Sequence, residues 1–142
     1  MNSIELTKRF LIESFEKTRK TVTKEEVQAE IALEKEKYDF ADNVVWDEYE
    51  EFVFCCLGLR KFIEEKGYNA FSVNFLNVEG LGTMPFTECC KQMEKGIGYA
   101  GEGDALTVGL QLGEAGGELQ LLGLDACQLL VLSLHGLLIP VG

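Results

Sequence analysis

The 142-residue sequence has few basic residues, with 13 Lys and Arg against 24 Asp and Glu and a formal net charge of -11. No Lys or Arg follows Lys95. Binding to DNA or RNA depends on clustered basic side chains that displace counterions from the phosphates, so this balance argues against a nucleic-acid partner. The hydrophobic fraction of 46% and the charged fraction of 26% exclude wholesale disorder. The length is that of a single domain.

Signals for structural zinc, secretion and membrane insertion are also missing. The five cysteines form two adjacent pairs and a single residue, Cys55–Cys56, Cys89–Cys90 and Cys127. None of them has the Cys-x-x-Cys spacing that chelates zinc or carries redox exchange, which favours reduced, buried thiols. No apolar stretch of signal-peptide length occurs at the amino terminus, and the apolar run 129–139 is too short to cross a bilayer. We therefore predict a cytoplasmic protein with no membrane partner.

Apolar periodicity predicts four helices in the first two thirds of the chain, over residues 3–20, 23–37, 45–66 and 85–95. Thr23 and Glu26 have the spacing of a capping box at the start of the second helix. Gly67 is placed to end the third helix in a left-handed conformation, and Pro85 suits the first turn of the fourth.

One strand is predicted over residues 69–76, where Phe71, Val73 and Phe75 alternate with small polar residues. A helix that ends at a glycine and continues into a strand indicates an α/β fold. Residues 96–104 are predicted to form a glycine-rich loop. The leucine-rich segment 111–142 has no sustained helical or strand periodicity, so we expect an irregular tail.

The glycine-rich loop contains Gly96-Ile-Gly-Tyr-Ala-Gly101, which fits the dinucleotide fingerprint G-x-G-x-x-G letter by letter. That fingerprint binds pyrophosphate only where a strand precedes the glycines and a helix follows. Here a predicted helix precedes them, so we reject nucleotide binding. The loop also carries two carboxylates between glycines, Glu102 and Asp104. Asp104 could cap a following helix, whereas Glu102 suits a hard divalent cation, which prefers oxygen ligands.

These residues resemble the L-arabinose isomerase and L-fucose isomerase-like family. The resemblance rests on Asn69-Ala-Phe-Ser-Val-Asn-Phe75, Gly80-Leu81, Met84-Pro85 and above all Gly98-Tyr-Ala-Gly-Glu-Gly-Asp104. It implies an α/β middle-domain fragment of a sugar isomerase, an intramolecular oxidoreductase that interconverts aldose and ketose through an enediolate. It also implies a small sugar as substrate and assembly into a homo-oligomer.

The resemblance further implies roles for three residues. The family's glutamate in Gly-Glu-Gly-Asp binds a divalent metal, usually manganese, and moves a proton between two sugar carbons; Glu102 occupies that place. A phenylalanine at the end of the preceding strand lines the family's sugar pocket, and Phe75 matches it. Asp104 is then a supporting acid or a cap.

The sequence departs from the family downstream of this motif. The family's second glutamate and its two metal-binding histidines have no counterpart after Leu110, and we assign no chemistry to His135, the only histidine. We therefore divide the chain into a partial middle domain, 1–110, and an atypical tail, 111–142, and expect an inactive piece. This departure from the family has three possible origins, which are translation in a shifted frame, a genuine fragment and a diverged paralogue. The alternative function is a non-catalytic interaction module, in which the helix around Trp46 and Phe62 packs against a partner chain.

Overall fold

A computed structural model describes residues 12–73 and 82–101, and the backbone of residues 129–132. The described part consists of helices and one small parallel sheet, in agreement with the predicted α/β class. Helix α1 is described over residues 12–19, within the predicted range 3–20.

Helix α2 spans Lys24–Lys37 and begins at the predicted capping box. The backbone N–H of Glu26 donates to Thr23 Oγ1 at 3.2 Å, and the backbone N–H of Thr23 donates to Glu26 Oε2 at 2.8 Å. Each of these bonds satisfies a backbone donor that the first helical turn leaves without a partner. The capping box therefore fixes where α2 starts.

Helix α3 spans Trp46–Lys66 and is the longest element of the described chain. It ends at Gly67, which has a φ of 65°, a left-handed conformation that glycine adopts without a Cβ clash. This confirms the cap predicted from the sequence. Near its middle, α3 passes close to α1, because a Cβ atom built on Gly58 would lie 2.7 Å from Arg19 Cγ.

Helix α4 spans Phe86–Glu94, one residue shorter at each end than the predicted range 85–95. Pro85 immediately precedes the first helical residue, a position at which its missing N–H costs no helical hydrogen bond. After α4 the chain turns at Gly96, which has a φ of 85°. The chain then enters a strand directly.

The sheet contains three parallel strands in the order β2-β1-β3. Strand β1 spans Ala70–Val73, within the predicted range 69–76, and is buried at every residue. Strand β2 spans Gly98–Gly101, which corrects the prediction that residues 96–104 form a loop throughout. Glycine has a low strand propensity, but these residues gain parallel hydrogen bonds to β1, and Ala100 is buried. Tertiary pairing thus outweighs the local composition.

Strand β3 spans Leu129–Leu132 and corrects the expectation of an irregular tail at these four residues. A short, continuous apolar run is typical of a strand in a parallel sheet, but periodicity alone cannot distinguish it from other apolar segments. The remainder of the tail, 111–128 and 133–142, lies outside the described residues. The boundary predicted between residues 110 and 111 stays a prediction.

Helix α3 occupies the centre of the hydrophobic core. One face packs against α1, β1 and α4 through a cluster of eight buried residues, Phe15, Cys55, Leu59, Phe62, Ile63, Phe71, Val73 and Cys89. Another face packs against α2 through Val22, Val27, Ile31, Val53 and Leu57. Phe15 and Phe62 meet edge to face with ring centroids 5.6 Å apart, a favourable arrangement for aromatic pairs.

Candidate functional site

The three strands end at the same edge of the sheet, which we call the carboxyl edge. The register pairs Val73, the last residue of β1, with Gly101 of β2 and with Leu132 of β3. In open parallel sheets, ligands bind outside the carboxyl ends of the strands. The carboxyl edge is therefore the candidate functional site.

The sequence-predicted site residues follow these strand ends. Glu102 comes one residue after Gly101, and Phe75 comes two residues after Val73. Both lie outside the described residues, as do Asp104 and His135. The structure does place the ends of β1 and β2, which lie side by side and parallel. The chain continues from the end of β1 to Phe75 and from the end of β2 to Glu102.

The strands are held in this register by tight packing. Ala70, Phe71 and Val73 are completely buried. The rings of Phe71 and Tyr99, which are register partners on β1 and β2, lie 5.0 Å apart between centroids. Side chains in direct cross-strand contact are the main source of stability in a sheet, so this pair fixes the relative position of β1 and β2 close to the carboxyl edge.

The three buried cysteines are not activated nucleophiles. Burial raises the pKa of Cys55 to about 11 and that of Cys89 to about 12, and it also raises the pKa of Cys56. A thiol reacts as its thiolate, which a raised pKa suppresses at neutral pH. All four described cysteines are free thiols, as the sequence predicts for reduced, buried residues, although Cys90 is exposed.

A cluster of charged side chains joins the three helices α2, α3 and α4. Arg60 on α3 makes two hydrogen bonds to each of two glutamates, Glu30 on α2 and Glu88 on α4. Lys91 on α4 bonds Glu30 at 2.7 Å and also bonds Glu34. We call these five residues the ionic cluster.

Two neutral side chains complete the hydrogen bonding of the ionic cluster. The Tyr49 hydroxyl donates to Glu34 Oε2 at 2.8 Å, and the Gln92 amide donates to Glu88 Oε1. Glu88 is completely buried and Glu34 is 4% exposed. Buried charges require this degree of pairing because their desolvation is costly.

The carboxylates of the ionic cluster serve the fold and are not available as metal ligands. Each of them is bonded to Arg60, to Lys91 or to both. The hydrogen bond from Arg60 lowers the pKa of Glu30 to about 2, so this carboxylate is ionised and paired at neutral pH. Over the ranges that the structure describes, no group of three or more His, Cys, Asp or Glu residues could hold a metal ion.

Sequence reasoning missed the ionic cluster. The many charges of α2 are compatible with a solvated helix, but Glu30 and Glu34, one helical turn apart, pair with cations on α3 and α4. A glutamate pair at i and i+4 is also common on solvated helices, so that spacing alone could not have identified it. The identity of the partners depends on tertiary packing.

The interaction-module hypothesis relies on two aromatic residues of α3, Trp46 and Phe62, of which one lies at the surface and the other in the core. Phe62 is completely buried in this chain's own core, whereas Trp46 is 38% exposed. Phe62 therefore has no surface to offer a partner. In the described ranges, no helix has both the length and the apolar character required to cross a bilayer.

The chain is similar to one family of curated proteins. The family profile described as L-arabinose isomerase central domain matches residues 6–112. A relative named L-arabinose isomerase from Cellvibrio japonicus (strain Ueda107) is 33% identical over 94 residues, which are 63% of this chain and 19% of that protein.

Two further relatives of the same name give shorter, more similar matches. The protein from Pediococcus pentosaceus is 43% identical over 53 residues, 37% of this chain and 11% of its own length. The protein from Yersinia enterocolitica is 41% identical over 54 residues, 38% of this chain and 11% of its own length. The chain thus spans about a fifth or less of the length of these relatives. No solved structure is significantly similar to it.

Proposed function

The chain belongs to the family of L-arabinose isomerase central domains, and from this we propose that it forms part of the catalytic centre of an aldose–ketose isomerase. The substrate would be a small sugar of the L-arabinose or L-fucose type. The observation that carries the proposal is the register of β1 and β2, in which Val73 and Gly101 are paired at the carboxyl edge. This register supports a site to which the segments carrying Phe75 and Glu102 both contribute.

Glu102 is the proposed acid–base residue. Interconversion of an aldose and a ketose moves a proton from the carbon beside the carbonyl to the carbonyl carbon. The hydroxyl proton on the first of these carbons passes at the same time to the carbonyl oxygen. A carboxylate can carry this proton if it lies within hydrogen-bonding reach of both carbons. Phe75 would form an apolar wall of the sugar pocket, and Asp104 would support Glu102 or cap the helix predicted after it.

Manganese is the proposed cofactor of the complete site, in which a divalent cation would stabilise the negative charge that develops on the sugar oxygens. The described residues do not by themselves fit such an ion. The strand ends at the carboxyl edge, Val73, Gly101 and Leu132, carry no metal-ligating side chains, and the described ranges contain no suitable cluster. We propose that Glu102 supplies one ligand and that the others come from outside this sequence.

The need for further metal ligands also bears on the activity of the 142 residues alone. A hard divalent cation needs several oxygen ligands, and the segment after Leu110 has no second family glutamate or metal-binding histidines. These 142 residues on their own are therefore proposed to be inactive. The homo-oligomeric assembly implied by the resemblance stays a proposal for the complete enzyme.

A chimeric enzyme tests the proposed function. Residues 6–112 of this chain would replace the matching segment in the isomerase of Cellvibrio japonicus, and conversion of L-arabinose to its ketose would be measured with Mn²⁺ present. We expect the chimera to be active and the Glu102→Gln variant of it to lose activity. The matched control is Glu36→Gln, which removes one carboxylate from an exposed position on α2 and should leave activity unchanged. A folded but inactive chimera would contradict the proposal.

A further inference from the structure

The turn between α2 and α3 carries an exposed aromatic surface that the isomerase proposal does not use. We call it the turn patch, and it consists of Tyr38, Phe40, Val45, Trp46 and Tyr49. The rings of Phe40, Trp46 and Tyr49 contact one another, with centroid separations of 5.2 to 5.9 Å. Such a group of aromatic rings at a surface is typical of a binding site.

Three members of the turn patch are exposed to solvent to a large extent. Val45 is 56% exposed, Tyr38 is 44% exposed and Trp46 is 38% exposed. Tryptophan and tyrosine are the residue types most enriched among those that dominate binding energies. Apart from the ring faces next to Lys35 on Trp46 and Lys37 on Tyr38, the turn patch thus keeps apolar area exposed in the described part of this chain.

The segment that carries most of the turn patch is acidic. Residues 39–51 contain six Asp and Glu and no Lys or Arg. Five of these acids, Asp39, Asp42, Asp47, Glu48 and Glu51, are exposed and make no hydrogen bond or ion pair with other described side chains. Asp47 and Glu48 also lie in the first turn of α3, where a negative charge is favourable, but the other three have no such structural role.

The aromatic rings of the patch already bind a cation. The Lys35 ammonium lies 3.8 Å from the centroid of the Trp46 ring, a distance at which the electron-rich face attracts a positive charge. A ring face combined with nearby carboxylates is the chemistry that recognises a guanidinium or an ammonium group.

We propose that the turn patch is a docking site for a basic, amphipathic polypeptide segment of a partner protein. Aliphatic side chains of that segment would cover Trp46 and Val45, and its Arg or Lys side chains would pair with Asp39 and Asp42. Two turn patches facing each other would bring like charges together, so a basic segment suits this surface better than a second copy of the chain does. This inference does not depend on the isomerase proposal.

Intrinsic fluorescence provides a direct test, because Trp46 is the only tryptophan of the chain. The probe is a synthetic helical peptide with one face of arginine and one face of leucine, and an oligolysine of equal charge serves as the comparison. Titration of the 142-residue chain with the amphipathic peptide should shift the Trp46 emission to shorter wavelength and reach saturation. Oligolysine should leave the emission unchanged.

Charge-matched variants separate docking at the turn patch from general attraction to an acidic protein. Asp39→Asn/Asp42→Asn should weaken peptide binding about tenfold, whereas Glu13→Gln/Glu25→Gln, at exposed sites elsewhere, should have little effect. With a labelled peptide, Trp46→Ala should also weaken binding about tenfold or more. Met93→Ala, which truncates an exposed apolar residue on α4, should not.

Three results would overturn the proposal. The first is absence of saturable binding. The second is equal weakening by the two charge-matched pairs, which would indicate attraction to net charge alone. The third is a Trp46 emission that depends on protein concentration, together with a dimer in light scattering, which would mean that a second copy covers the turn patch.

Discussion

Arg60 and Glu88 form a two-pronged ion pair, with Arg60 Nε 2.9 Å from Glu88 Oε1 and Arg60 Nη2 2.8 Å from Glu88 Oε2. Glu88 is completely buried, so its carboxylate depends on Arg60 for pairing. The pair joins α3 to α4, the helix that leads into β2. This buried contact thus holds α4 against α3.

Removal of Arg60 is expected to destabilise the fold strongly. Arg60→Leu leaves Glu88 buried without its main partner, and loss of one member of a buried pair costs about 3–5 kcal/mol of the free energy of unfolding. Urea denaturation of the purified chain measures this loss. The control is Lys37→Leu, which removes an exposed pair with a 3.8 Å separation to Glu94 and should leave the free energy of unfolding almost unchanged.

A double variant distinguishes the lost pairing from lost packing. Arg60→Leu/Glu88→Leu removes the buried carboxylate together with its partner, so stability should recover in part relative to Arg60→Leu. If the double variant were less stable than the single variant, the buried charge of Glu88 would not be the cause of the loss.

Stability should fall on acidification through Glu30. The hydrogen bond from Arg60 lowers the pKa of Glu30 from its usual 4.5 to about 2. Between these values the unfolded chain binds a proton that the folded chain does not. The stabilisation by Glu30 is therefore fully present above about pH 5 and is lost as the pH falls toward about 2.

Urea midpoints measured at a series of pH values between neutral and strongly acidic check this expectation. Glu30→Gln removes the titrating group, so its midpoint should depend less on pH in the acidic range than that of the unsubstituted chain. Glu36→Gln, on the same helix with an exposed side chain, should keep the original dependence. The same slope in the Glu30→Gln variant and the unsubstituted chain would show that Glu30 makes no such contribution.

The capping box of α2 contributes a smaller amount. Thr23→Ala removes the acceptor of the hydrogen bond from the Glu26 backbone and should lower the free energy of unfolding by about 1 kcal/mol. Thr23→Ser keeps a hydroxyl at this position and should restore most of the loss. Urea denaturation compares the three proteins, and equal losses in both variants would mean that the methyl group of Thr23, not its hydroxyl, stabilises the start of α2.

Short sequence motifs correctly predicted those features of the fold that are determined by residues close together in the sequence. The capping box at Thr23 and the left-handed end of α3 at Gly67 are determined within one or two turns of chain. The structure places each of them where the sequence indicates. The resemblance to the isomerase family also followed from short local segments, above all the glycine-rich motif ending at Asp104.

Features that depend on residues far apart in the sequence were not predictable in this way. Strand β2 has the composition of a loop, and its strand conformation comes from pairing with β1. Leu129–Leu132 pairs with β1 across more than fifty residues, and the ionic cluster brings Glu30 to Lys91 across 61 positions. In each case the partner determines the structure, and no short window of sequence contains both members.

The role of Glu102 in proton transfer is the central claim, and proton exchange on the sugar tests it most directly. The chimera carrying residues 6–112 would be incubated with L-arabinose and Mn²⁺ in D₂O, and deuterium incorporation at the carbon beside the carbonyl would be followed by NMR. We expect Glu102→Gln to slow this incorporation by about 100-fold or more, while Glu36→Gln exchanges at the unsubstituted rate. Equal exchange in the Glu102→Gln and unsubstituted chimeras would contradict the assignment of Glu102 as the acid–base residue.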